Sequence, residues 1–125
     1  MKKEYKVLLL LAFVKFILPF ILQSPVYEPH RDEFLYLAEA HHMAWGYMEI
    51  PPLLSVCAWI SDFFGHGIFW IKFWPSLFGA LTYFIVGKII LSLGGRSFAL
   101  FLGFLPFILG VYLRMHFLFQ PNFLE

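Results

Sequence analysis

Residues 68–93 read IFWIKFWPSLFGALTYFIVGKIILSL, and this stretch decides the fold. Apart from Lys72 near one end and Lys88 near the other it is apolar, and Gly94-Gly95 close it. A helix needs about 20 predominantly apolar residues to cross a bilayer. The run supplies them, so it predicts a membrane-spanning helix. Downstream, after Arg96 and Ser97, a second apolar run extends from Phe98 to about Phe119. It holds Pro106, which membrane helices tolerate, and Arg114 near its far end. The residues between the two runs, Gly94-Gly95-Arg96-Ser97, then form a tight turn between antiparallel spans.

Upstream, Met1-Lys2-Lys3-Glu4-Tyr5-Lys6 precedes an apolar run over about 7–23. The run lacks a small-residue cleavage site and is interrupted by Lys15 and Pro19, which reads as an uncleaved signal anchor rather than a signal peptide. It spans if it continues toward Ser24, or if Lys15 snorkels or packs inside the bundle. The segment Leu53–Phe64 is apolar but short and carries Ser55, Ser61 and Asp62, which suits an interfacial helix. Residues 33–44 also read as a surface helix, separated from it by Trp45-Gly46-Tyr47 and Pro51-Pro52.

Composition agrees. The chain has 125 residues, 61% of them hydrophobic and 14% charged, against roughly 45–50% and about 25% in ordinary soluble domains. A water-soluble globule of this size cannot bury so much apolar surface, which excludes a soluble enzyme. The net charge of +1 and pI near 7.9 argue against a nucleic-acid partner. Cys57, a lone cysteine, excludes an internal disulfide and reads as a small packing residue. The fold class expected is therefore all-α integral membrane: about three transmembrane helices (7–23, 68–93, 98–119) and two juxtamembrane helices in an outer loop, 24–66.

Charge orients the chain. Lys2, Lys3 and Lys6 precede the first span, and Lys88 and Arg96 flank the turn between the second and third. The positive-inside bias places both in the cytoplasm. The loop 24–66 is then extracytoplasmic in a multi-pass plasma-membrane protein. That loop holds six of the eight acids (Glu28, Asp32, Glu33, Glu39, Glu49, Asp62) and one of the nine basic residues, Arg31. It also holds His30, His41, His42 and His66. Asp32 follows an extended Glu28-Pro29 segment and suits a helix N-cap. It also suits a base facing a lipid-borne substrate, since a carboxylate at the membrane surface can take a proton from an attacking hydroxyl. Glu39 and His42 share a helical face, but such metal sites need several contributions of this kind. A divalent metal is left open, and no cofactor is certain. Arg114 and His116, at the outer end of the third run, either snorkel or line a cavity for a phosphate.

Tyr27-x-x-x-Arg31-Asp32-Glu33-Phe34-x-Tyr36-Leu37 followed by Trp45-Gly46-Tyr47-x-x-x-Pro51-Pro52-Leu53 resembles the first outer loop of family 39-type glycosyltransferases. These are integral-membrane enzymes of the GT-C fold, related to protein O-mannosyltransferases and lipid A aminoarabinose transferases. Leu77-x-Gly79-Ala80-Leu81-Thr82, the Leu93-Gly94-Gly95 turn and Phe119-Gln120-Pro121-Asn122-Phe123-Leu124-Glu125 are similar too. The resemblance implies a glycosyltransferase that moves a sugar from a polyprenyl-phosphate donor to an acceptor hydroxyl on a lipid, glycan or protein. It puts the catalytic aspartate on Asp32, the adjacent acid on Glu33 and a second outer-loop acid on Glu125, where the family more often has Asp. Arg31 and Arg114 become the candidates for the donor phosphate. Family members carry many more spans, so residues 1–125 are expected to be an N-terminal portion of a transferase domain, inactive alone. The competing expectations are an accessory or scaffold subunit packing through Gly79, Gly87 and Gly103, and a transporter subunit using Lys15 and the outer acids as an ion path.

Overall fold

The computed structural model describes residues 2–22, 33–35, 38, 41–42, 52–65, 68–116 and 118. Every element among them is an α-helix: α1 (Lys2–Leu22), α2 (Pro52–Phe64), α3 (Ile68–Ser92), α4 (Ser97–Ile108) and α5 (Gly110–Met115). Two of these, α1 and α3, are long and apolar enough to cross a membrane.

The long helices α1 and α3 run antiparallel, as their contacts show. Leu8 fills the space left by the missing side chain of Gly87. Phe16 meets Phe73 edge-on, and Phe20 meets Phe69. As residue numbers rise in one helix they fall in the other. α4 returns antiparallel to α3, with Ile90 against Gly103 and the Tyr83 ring against Phe104 and Phe107. Leu8, Leu11, Tyr83, Leu100 and Phe104 form the buried centre where the three helices meet. The Tyr83 hydroxyl, fully buried, donates to the Leu100 carbonyl at 3.0 Å, which meets the need of a buried phenol for a partner.

The α3 end of the α3–α4 connection has a local cause. The Gly95 amide donates to the Ile90 carbonyl at 2.9 Å and the Gly94 amide to Leu91 at 3.1 Å, the paired bonds of a Schellman cap. Such a cap needs a left-handed residue, and Gly94 supplies it at φ +85°. α2 opens on Pro52, where a missing amide costs nothing. It buries Leu54, Ser55, Cys57, Ala58 and Ser61 on one face, the spacing of an amphipathic helix, and leaves Trp59 and Phe63 exposed. Gly65 closes it at φ +129°.

The third apolar run differs from the single span expected over 98–119. Its helix breaks at Leu109, which turns extended (ψ 146°), and restarts at Gly110 as a helix of 6 residues, α5. Pro106 lies within the last turn of α4 and Gly110 has the weakest backbone preference for a helix after proline, so the chain bends where propensity is poorest. The Leu109 amide folds back onto the Leu105 and Pro106 carbonyls.

The exterior of this bundle is apolar. Leu9, Phe13 and Ile21 on α1, Ile85 and Ile89 on α3, and Phe98, Phe101 and Leu102 on α4 are each more than half exposed. Contiguous apolar surface of this kind needs a cover that water does not provide.

Candidate functional site

The acidic segment and the long helix meet at a buried ion pair. Residues 33–35 are helical, and much of the surface helix read over 33–44 lies outside the described residues. Glu33 turns inward from there while Phe34 and Leu35 stay exposed. Its Oε1 accepts from Lys72 Nζ, and both side chains are fully buried. Lys72 lies on the first turns of α3, so the pair ties the acidic segment to one end of the long helix. Removing two charges from water is expensive and only a close, hydrogen-bonded partner offsets it. One turn further along the same face of α3 stands Ser76, buried, and on α2 stands Ser55, also buried; neither hydroxyl has a hydrogen-bond partner among the described residues.

α2 is fastened to the same end of α3. The Trp74 indole donates to Ser61 Oγ at 2.8 Å. The Ser61 hydroxyl proton is shared between the Cys57 carbonyl at 2.9 Å and the Trp70 carbonyl at 3.3 Å. Phe64 stacks on Trp70 at 5.0 Å between ring centroids. Cys57 is 3% exposed, and burial pushes its thiol up to about 11, so it stays protonated and inert at neutral pH. This is the packing role its sequence suggested.

A second polar centre lies deeper. Lys15 is 1% exposed, and its Nζ donates to the Phe107 carbonyl at 2.8 Å. That carbonyl belongs to the last turn of α4, where four acceptors lose their helical partners. The cation therefore sits at the negative end of α4. Of the two options for Lys15, packing inside the bundle is the one adopted. The Phe107 ring stacks on His116 at 6.1 Å with a 14° tilt. His116 in turn occupies the room opened by Gly79, where an added Cβ would stand 2.7 Å from its own Cβ. The small residue read as a helix-packing position thus admits an imidazole instead of a helix backbone.

The residues singled out by sequence divide accordingly. Glu33 is brought into a buried contact. Arg114 is exposed on α5, with no ion pair among the described residues. His41 and His42 are exposed in a turn closed by the His41 amide on the Ala38 carbonyl at 3.2 Å. Arg31, Asp32, Glu39 and Glu125 lie outside the described residues. Among the described residues no group of three or more His, Cys, Asp or Glu side chains is placed to hold a metal. The residue that sequence reasoning undervalued is Lys72. A lysine inside an apolar span needs an acid or a carbonyl beside it, and that requirement was the available signal. Comparison with protein-family models, curated proteins and solved structures finds no match to this chain.

Proposed function

We propose that this chain is membrane-integral and forms the acceptor-activating end of a glycosyltransferase that uses a polyprenyl-phosphate sugar. The observation that carries the reading is the buried Glu33–Lys72 pair. It fastens the residue beside Asp32 to the end of a helix apolar enough to span a bilayer. A carboxylate held there faces a lipid-borne donor at the depth of its phosphate. The cavity lined by Glu4, Tyr5, Lys88 and Arg96 supports the orientation, because it puts the basic N-terminus and the basic α3–α4 turn at one end. That end is cytoplasmic, and the Glu33–Lys72 end is extracytoplasmic.

In this reading Asp32 takes the proton of the acceptor hydroxyl as its oxygen attacks the anomeric carbon. The bond from that carbon to the phosphate oxygen breaks, and polyprenyl phosphate leaves with the electron pair. Arg31 and Arg114 are the cations assigned to the departing phosphate, and Glu125 the second outer acid. Glu33 acts through position: paired with Lys72, it holds the segment that carries Asp32. Lys15, which an ion path would need free, is engaged by the Phe107 carbonyl. The acceptor, whether lipid, glycan or protein, needs only a nucleophilic hydroxyl.

The test is Asp32→Asn, expressed in the natural reading frame and assayed in membranes with a radiolabelled polyprenyl-phosphate sugar. Loss of a general base lowers the rate about 10²–10⁴-fold, with membrane insertion unchanged by protease protection. Transfer at the parent rate in this variant overturns the assignment of Asp32.

A further inference from the structure

Away from the outer end, two cavities lie along the α1–α3 pair. The first, of about 420 Å³, lies where the N-terminus of α1 meets the α3–α4 turn, and Tyr5, Lys88, Ser92 and Arg96 line it. The second, of about 570 Å³, is a groove between Leu9, Ala12 and Phe16 of α1 and Leu77, Leu81 and Phe84 of α3. Helical phase joins them. Tyr5, Leu9, Ala12 and Phe16 follow at i, i+4, i+7 and i+11, which is one face of α1. Leu77, Leu81, Phe84 and Lys88 repeat that spacing on α3. Because the helices are antiparallel, Tyr5 and Lys88 stand together at one end and Phe16 and Leu77 at the other. The cleft is therefore charged at its mouth and apolar along its length.

We propose that this cleft binds one anionic phospholipid, its phosphate between Lys88 and Arg96 and one acyl chain along the groove. Three features select that occupant. Lys88 and Arg96 come from different elements yet line one cavity, and both are exposed, so their donors can turn to an anion. Glu4 lines the same cavity and is engaged, so two cations face one carboxylate already in use. Arg96 is also the N-cap of α4 and gives its first turn no side-chain capping bond, which leaves the positive end of that helix beside the mouth. The groove below, from Leu9 to Phe16, is about 10 Å long at the helical rise, the reach of part of an acyl chain. A soluble phosphate would use the mouth and leave the groove uncovered. Basic pockets between membrane helices on the cytoplasmic side attract anionic headgroups, and this end carries the positive-inside residues. The proposal does not depend on the transferase reading.

Native mass spectrometry of the detergent-extracted chain, equilibrated with equal dioleoyl phosphatidylglycerol and dioleoyl phosphatidylcholine, tests it. The acyl chains are identical, so headgroup charge alone separates the two lipids. The expected result is preferential retention of phosphatidylglycerol. Lys88→Gln and Arg96→Gln each lower that preference about fivefold, and Leu9→Trp, which fills the groove with the charges intact, reduces retention of both lipids. Circular dichroism confirms that each variant keeps its helicity. Equal retention of the two lipids by the parent overturns the proposal. So does an unchanged preference in the doubly substituted variant, or displacement of bound phosphatidylglycerol by excess inorganic phosphate.

Discussion

Lys72 and Lys88 stand on the same helix, α3, and the molecule treats them in opposite ways. Lys72 is fully buried against Glu33, whereas Lys88 is exposed on the wall of a cavity. Around Lys72 the neighbouring polar groups are committed: Trp74 to Ser61, and Ser61 to two carbonyls. Around Lys88 a Schellman turn settles the backbone and leaves the cations to solvent or ligand. The difference teaches that a lysine in an apolar helix is a fastener when a buried acceptor, carboxylate or carbonyl, reaches it, and stays at the surface when none does. Sequence position near a helix end does not separate the two cases.

Lys72→Met attacks the fastener and has the largest expected effect. It leaves Glu33 buried without its cation, and breaking a buried pair from one side costs about 3–5 kcal/mol. The loss should show in unfolding of the detergent-solubilised chain, and Glu33→Leu added to Lys72→Met should restore much of it. A stable single variant would mean that the pair is dispensable and the comparison false. Lys15→Met comes next. It removes one charge-assisted bond to the Phe107 carbonyl, for an expected loss of about 1.5–3 kcal/mol in the same measurement. Lys88→Met should move stability by no more than about 0.5 kcal/mol. A larger loss there would show that the Lys88 end of α3 is wired like the Lys72 end.

Much of the architecture was legible because it is written in local pattern. The run at 68–93 became α3, Ile68–Ser92, and Gly94-Gly95 became its cap. The short run at Leu53–Phe64 became α2, with Leu54, Cys57 and Ala58 buried beside Ser55 and Ser61 and with Trp59 and Phe63 exposed. Apolar length and glycine freedom act over a few residues, so one sequence suffices to see them. Glu33 with Lys72 was a different kind of fact. Each residue alone reads as an interfacial charge, and only the path of the intervening chain brings them together. The break at Leu109 was hidden for a similar reason. Pro106 inside an apolar run is compatible with a continuous helix, and the lysine from another helix that meets the Phe107 carbonyl cannot be seen in the run itself.

That lysine also sets an order of assembly. An ammonium in the middle of α1 has no acceptor within its own helix, because the backbone carbonyls there are already taken. Its partner lies at Phe107, which is synthesised after α3 and most of α4. Until then Lys15 lacks the acceptor it ends on, and its ammonium keeps its water until one is supplied. α4, at 12 residues, is shorter than the roughly 17 that a lone span requires, and it packs against both α1 and α3. The helix made first is thus the last to be completed, and it waits for the one that follows α3.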